Sequence, residues 1–383
     1  MSVTHPLGFE AAGVAAGLKS TGAQDVAVVV NRGPSTAGAA VFTSNRAKAN
    51  PVIWSQQVAS DGVISAVVLN SGGANCYTGS QGFQTTHSTA EHTAGLLGLS
   101  ASDVLICSTG LIGEQLDLAK VTAGVSGAVE ALTTEGGIDA ATAIMTTDTH
   151  PKQAVVSRDG WSIGGMAKGA GMLAPGLATM LVVITTDADL SADQLDASLR
   201  EATRVTFDRL DSDGAMSTND TVALMASGAS TITPTAAEFS AALTELCGEL
   251  AKLLQEDAEG AAHDISIEVV SAFSEDEAVE VGRAVARNNL FKAAVFGNDP
   301  NWGRVLAAVG TTAAAFDPYD IDVTINGIRV AHAGEPDQSR DLVDLTGRAC
   351  HVLIELHAGE STATIRTNDL THDYVHENSA YSS

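Results

Sequence analysis

Two kinds of block alternate along the chain. Short apolar runs such as Met180-Leu181-Val182-Val183-Ile184 contain no polar position and read as buried strands. Ala-rich stretches between them read as helices. This pattern predicts strands over 25–30, 63–70, 103–107, 153–157, 179–185, 265–270, 291–295, 319–325 and 361–367. It predicts helices over 83–97, 116–132, 138–145, 192–207, 235–256 and 276–288. Ser191, with Asp193 and Gln194 behind it, is an N-terminal cap for the fourth helix. Thr233-Pro234 puts proline in the first turn of the fifth. Asn326-Gly327 signals a type I′ hairpin. Strands and helices alternating in this way predict an α/β fold with helix-covered sheets. No linker, low-complexity tract or internal repeat interrupts the pattern.

At 383 residues, and roughly 150 per domain, two or three structural units are expected. A hydrophobic fraction of 45% supplies a large core and excludes disorder as the main state. The net charge of −26 argues against nucleic acid and anionic membrane as partners, since both require a basic face. A locally basic pocket for a carboxylate substrate stays compatible with it. The start of the chain lacks a basic secretory n-region, and no apolar run is long enough to span a bilayer. Cys76, Cys107, Cys247 and Cys350 form no CxxC pair, so reduced thiols in a cytoplasmic protein are expected, with no zinc or redox motif.

The densest unusual segment runs from Gly164 to Thr179. Gly169, Gly171 and Ala174 match a dinucleotide-binding GxGxxA by letter, but Pro175-Gly176 follow at once and leave no helix N-terminus for a pyrophosphate. The bland reading is a Gly-rich loop feeding a buried strand. A sharper one is an autocatalytic N-terminal nucleophile: the Thr179 hydroxyl attacks the Ala178 carbonyl, and the freed α-amine serves as base for its own hydroxyl. Spacing alone leaves all three readings open.

A set of ordered motifs narrows them. They include Asn70-Ser71-Gly72-Gly73-Ala74-Asn75, Ser108-Thr109-Gly110-Leu111-Ile112-Gly113-Glu114, Met145-Thr146-Thr147-Asp148-Thr149, Lys168-Gly169-Ala170-Gly171-Met172, Ser217-Thr218-Asn219-Asp220, Asp257-Ala258-Glu259-Gly260-Ala261 and Gly297-Asn298-Asp299-Pro300-Asn301-Trp302. In this order and spacing the chain resembles the ornithine acetyltransferases, the ArgJ family of arginine biosynthesis, over essentially its whole length.

That resemblance implies an N-terminal-nucleophile-like αββα fold, of the type shared with L-aminopeptidase/D-esterase. It implies self-cleavage between Ala178 and Thr179 into an α segment, 1–178, and a β segment, 179–383, intertwined in one folded unit. The implied reaction is ping-pong. N2-acetyl-L-ornithine acetylates Thr179, L-ornithine leaves, and L-glutamate takes the acetyl group to give N-acetyl-L-glutamate, without a cofactor or metal. Acetyl-CoA stays open as a second donor, and an α2β2 heterotetramer is the implied assembly. Thr109 and Gly110 match the oxyanion-hole pair. Thr146, Thr147, Lys168, Thr179, Glu259, Asn378 and Ser383 match substrate-binding positions, with Lys168 set against a carboxylate and Glu259 against a cationic side chain.

Each position also has a bland reading: Thr109-Gly110 a strand-to-loop turn, Lys168 a solvated charge, Glu259 a helix-end residue, Asn378 part of a frayed tail. His372 and His376 have the i, i+4 spacing of a zinc-binding pair but lack its glutamate, so they read as a surface pair. Cys107, ending an apolar strand with no His nearby, reads as a structural thiol. The rival functions are an N-terminal-nucleophile aminopeptidase or amidase, in which water is the acceptor, and an uncleaved binding protein.

Overall fold

The structure is a computed structural model that describes residues 2–173 and 180–380. Two sheets form its centre. The first has the order Phe9–Val14, Val26–Asn31, Ala66–Ser71, Val104–Thr109, and its last pair is parallel. The second has the order Ala37–Phe42, Thr221–Ala226, Leu181–Thr186, Trp161–Lys168, Lys152–Arg158. Strands such as Val26–Asn31 and Leu181–Thr186 are buried at every position, so both faces of each sheet must be covered.

The alternation of side chains along each strand decides what covers which face. Leu181 and Val183 point between the sheets, against a layer that holds Val29, Leu69 and Leu105. Val182 and Ile184 point the other way, into a core shared with Leu195 and Leu199 of helix Ala192–Val205 and with Leu243 and Leu246 of helix Ala236–Glu256. On the opposite side, Val28, Val68 and Ile106 meet Ala90 and Val125 of helices Gly79–Leu97 and Leu118–Glu130. The result is the four-layer αββα sandwich expected from the resemblance. Each large aliphatic side chain so buried contributes about 1.5–3 kcal/mol relative to exposure.

A C-terminal lobe follows. Its six-stranded sheet has the order Glu335–Pro336, Ile328–His332, Asp322–Ile325, Ala349–Glu355, Asp264–Ala272, Ser361–Asn368. Helix Glu275–Ala286 packs on it around Val281, Val285, Ile267 and Ile365. Asn326 and Gly327, at φ +45° and +83°, make the expected hairpin between Asp322–Ile325 and Ile328–His332. Gln255, at the end of the long helix of the sandwich, donates to the carbonyls of Ile265 and Thr367 and ties the lobe on.

Several expectations are corrected. Residues 291–295 are not a strand but lie inside helix Asn289–Phe296, where the Asn288 side chain accepts from the Phe291 amide. A five-residue apolar run has no period long enough to separate strand from helix, and the cap decides it. Gly164 to Lys168 belong to strand Trp161–Lys168 rather than to a loop, because that strand is paired on both sides. Pro234 lies outside its helix, whose cap is Thr235 in a capping box with Glu238. Ser191 caps as expected, in a second capping box with Gln194. The C-terminal helix His372–Ala380 replaces the frayed tail.

The strands on either side of residue 179 are antiparallel neighbours, with Lys168 opposite Leu181 and Ile163 opposite Thr186. No helix among the described residues is long and apolar enough to cross a membrane.

Candidate active site

The ends of the central strands gather the chemistry. Met180, which precedes strand Leu181–Thr186, donates its amide to Asp220 Oδ1 at 3.1 Å. Asp220 is fully buried, and burial pushes its carboxyl well above the usual range, against the Met180 amide, the Ser217 hydroxyl and Lys168. The adjacent Asn219 donates to the carbonyls of Ala74 at 2.6 Å and Ser108 at 2.8 Å. It thereby holds the Thr109-Gly110 corner against the same edge. Asn219 is buried, and its side chain is engaged by the Ala74 and Ser108 carbonyls and the Thr218 hydroxyl.

Thr109 is the last residue of strand Val104–Thr109, and its carbonyl accepts from the amides of Gly72 and Gly73 at 3.0 and 2.9 Å. Gly110 then turns at φ +126°, and a Cβ there would lie 2.6 Å from the Gly73 nitrogen. Only glycine permits both the angle and the approach.

Lys168 ends strand Trp161–Lys168 with 2% exposure and donates from Nζ to Thr146 Oγ1 at 3.1 Å. Burial lowers its pKa, while Asp148 above all, then Asp220 and Glu259, favour the charge. Asp148 is itself pushed up by burial. The charges of Lys168 and Lys152, with hydrogen bonds from Lys152 and the Thr146 amide, overcome this and hold it at about 2.

Glu259 donates its amide to the Ala170 carbonyl at 3.0 Å, and its carboxylate lies over Gly171. A Cβ on Gly171 would come within 2.6 Å of Glu259 Oε1, so the glycine makes room for the carboxylate rather than for a phosphate. Beside it opens a cavity of about 600 Å³, lined by Thr147, Asp257, Glu259, Phe296, His376 and Glu377. The two threonines are thus separated: the Thr146 hydroxyl meets Lys168, and Thr147 lines the acidic cavity.

The structure therefore brings Thr109, Gly110, Thr146, Thr147, Lys168 and Glu259 to one end of the sandwich. Asn378 is exposed on the C-terminal helix and donates to the Tyr374 carbonyl of its own preceding turn. The helix does reach the site, since Thr371 donates to the Gly260 carbonyl and Tyr374 bonds Asp213, which in turn accepts from the Leu173 amide at 2.7 Å. Ala178, Thr179 and Ser383 lie outside the described residues.

Sequence reasoning assigned no role to Asp148, Lys152, Asp213, Asp220 or Asp257. Asp148, Asp220 and Asp257 stood inside the motifs, but nothing in a linear motif marks burial. Cys107 is a structural thiol as expected, buried and pushed up to about 12 by burial despite a hydrogen bond with Thr221. All four cysteines are free and buried. His372 packs edge-on against Phe296 at 5.5 Å, and His376 lines the acidic cavity. Among the described residues, metal-type side chains cluster at Asp322, Glu355 and His357 in the C-terminal lobe. There Asp322 is already engaged by His332, Arg329 and the Ala333 amide.

Comparison with known proteins identifies the architecture. Residues 10–383 match the ArgJ family. The chain belongs to that family. The arginine biosynthesis bifunctional protein ArgJ of Streptomyces avermitilis is 61% identical over 383 residues, spanning 100% of both chains. Its counterpart from Thermobifida fusca is 61% identical over 382 residues, again over 100% of each. The crystal structure of an arginine biosynthesis bifunctional ArgJ protein from Bacillus halodurans superposes with a TM-score of 0.50 and 35% identity, over 51% of this chain and 97% of that one. For a member of the ArgJ family, the clustering of the Thr109-Gly110, Thr146-Thr147, Lys168 and Glu259 motifs at one end of the sandwich is a finding about the motifs themselves. Of these residues Thr147 and Glu259 line the cavity, and Lys168 is tied to them through Thr146 and the Ala170–Glu259 hydrogen bond.

Proposed function

We propose that this ArgJ-family chain is an acetyltransferase of arginine biosynthesis that moves acetyl from N2-acetyl-L-ornithine to L-glutamate through Thr179, after cleaving itself between Ala178 and Thr179. The observation that carries the reading is the pairing of opposite charges around one backbone contact. Lys168 stands two residues before Ala170, whose carbonyl accepts from the Glu259 amide, and it lies opposite Leu181, the neighbour of Met180. A zwitterionic amino acid presents the complementary pair, an α-carboxylate for Lys168 and an ω-ammonium for Glu259.

The Thr179 hydroxyl attacks the acetyl carbonyl of acetylornithine while its proton passes to the Thr179 α-amine, whose ordinary pKa of about 7.7–8.0 suits a base at neutral pH. The resulting oxyanion is stabilised by donors at Thr109 and Gly110. Collapse breaks the amide C–N bond, ornithine departs with the proton, and the acetyl group stays as a threonine ester. The α-amine of glutamate then attacks that ester and regenerates the hydroxyl. One pocket serves both half-reactions because both amino acids carry an α-carboxylate.

The "bifunctional" name of the relatives supports acetyl-CoA as a second acetyl donor, and an assembly of two copies of each cleaved segment is the proposed quaternary state. The aminopeptidase alternative is weaker, since the similarity at 61% identity is to ArgJ proteins over their full length.

Two measurements test the reading. A denaturing gel should show two fragments near half of 39.0 kDa in place of one full-length band. Release of ornithine from acetylornithine should depend on glutamate. Release at the same rate without glutamate identifies an amidase, and a single uncleaved band with no release identifies a binding protein.

A further inference from the structure

We propose that Lys152 is a positioning residue of this site: its buried ammonium clamps Asp148 to Asp257 and thereby holds Lys168 and Glu259 at one separation. The inference rests on the acetyltransferase reading above. Lys152 begins strand Lys152–Arg158 and has 0% exposure. Its Nζ donates to Asp148 Oδ1 and to Asp257 Oδ2, each at 2.6 Å.

Asp148 grips backbone that carries a recognition group, and Asp257 shares its segment with the other. Asp148 accepts from the amide of Gly169, next to Lys168, at 2.7 Å, and from the amide of Thr146, whose hydroxyl meets Lys168, at 3.0 Å. Asp257 accepts from the Thr149 amide at 3.0 Å and from the Thr149 hydroxyl, and it stands two residues before Glu259. The Glu259 amide then returns to Ala170, two residues after Lys168. The connections close a ring: Lys168 through Gly169 to Asp148, to Lys152, to Asp257, to Glu259, and back through Ala170.

Two physical points make this more than packing. An ammonium and two carboxylates withdrawn from water incur a desolvation penalty of several kcal/mol per ion, which the pairing only offsets, so such a cluster is a poor device for stability alone. A ring of short, directional, charge-assisted bonds is instead a good device for fixing distance. Misplacing a recognition group by about 1 Å can cost orders of magnitude in rate. Lys152 touches neither substrate nor nucleophile in this account. It acts through Lys168 and Glu259.

The test is steady-state kinetics on the mature, cleaved enzyme. Lys152→Met should raise KM for acetylornithine about tenfold or more while kcat changes less than about threefold, because binding geometry and not acyl chemistry is disturbed. Lys152→Arg, which keeps the charge, should recover most of the loss. In a Glu259→Gln background the same Lys152→Met change should cost less than about twofold, since one of the two charges whose separation it fixes has been removed. If Lys152→Met gives no soluble enzyme, Asp257→Asn, which opens the ring on the other side of the lysine, should show the same rise in KM.

An unchanged KM, an equal fall in kcat and kcat/KM, or full additivity with Glu259→Gln overturns the clamp. A wild-type enzyme that releases no ornithine in the presence of glutamate overturns the acetyltransferase reading itself, before any variant is made.

Discussion

The sandwich and the C-terminal lobe bury charge to different depths and in different settings. The lobe's core is aliphatic, built from residues such as Ile267, Val281, Val323, Val352 and Ile354, with ion pairs at its rim, as in His351–Glu268 and Arg348–Asp264, together with a buried His263–Asp369 pair and a buried Lys292 that donates to the Ser212 carbonyl. The sandwich buries Asp25, Asp148, Lys152, Lys168, Asp187, Asp220 and Asp257. These are not all of one kind. Asp25 accepts from the amides of Ala16, Leu18 and Lys19, and Asp187 from those of Leu7 and Ser162, so both are staples for loops. A short acceptor satisfied by backbone amides is a cheap way to order a turn. Lys152 and Lys168 are different. They rank among the largest fully buried side chains, and a lysine loses more hydration and more rotamer freedom on burial than any loop staple requires. Buried carboxylates are therefore ambiguous markers of function here, while Lys152 and Lys168 point to the site.

The contrast can be broken most severely at the nucleophile. Thr179→Ala should leave one full-length chain with no measurable turnover, and a gel with an activity assay checks both. Cleavage persisting in that variant overturns the autocatalytic mechanism. Thr109→Ala should lower kcat by roughly two to three orders of magnitude with a modest change in KM, if its hydroxyl stabilises the oxyanion. An unchanged kcat makes it a turn residue.

Lys168→Met should weaken kcat/KM for both acetylornithine and glutamate by roughly two orders of magnitude, since the partner carboxylate of either substrate is left unpaired. A smaller effect comes from pH. Burial moves the Lys168 pKa below its ordinary 10.5. Deprotonation removes the positive charge, so KM for both amino acids should rise on the alkaline side at a pH below 10.5, and Lys168→Arg should flatten that limb. An unaltered limb in Lys168→Arg assigns it to another group. The smallest effect belongs to the lobe. His351→Ala removes a half-exposed ion pair with Glu268 and should leave kcat and KM unchanged, with Tm within about 2 °C of the parent.

Much of the architecture was legible in the order of residues. Uninterrupted apolar runs announced strands buried on both faces, Ser191 and Gln194 announced a helix start, and Asn326-Gly327 announced a hairpin. These are local signals, carried by neighbours within a few positions, and the structure keeps them. Where the local signal was short or mixed, the reading failed. The run 291–295 became a helix through its Asn288 cap, and Gly164 to Lys168 became a strand because partners on both sides complete its hydrogen bonds. The motif residues were legible as a set, but not their environment.

What the sequence determined by itself was the alternation of elements, the family motifs and the presence of a Thr after a Gly-rich turn. Tertiary structure alone decided which charges are buried and with whom. Asp148 and Asp257 stand 109 positions apart and share one ammonium, Thr146 rather than Thr147 meets Lys168, and Gly171 is a glycine because Glu259 lies over it. The reason is range. Helix, turn and strand propensities act over a handful of residues, whereas desolvation and Coulomb attraction depend on what the fold brings within a few ångströms, and no local pattern encodes that.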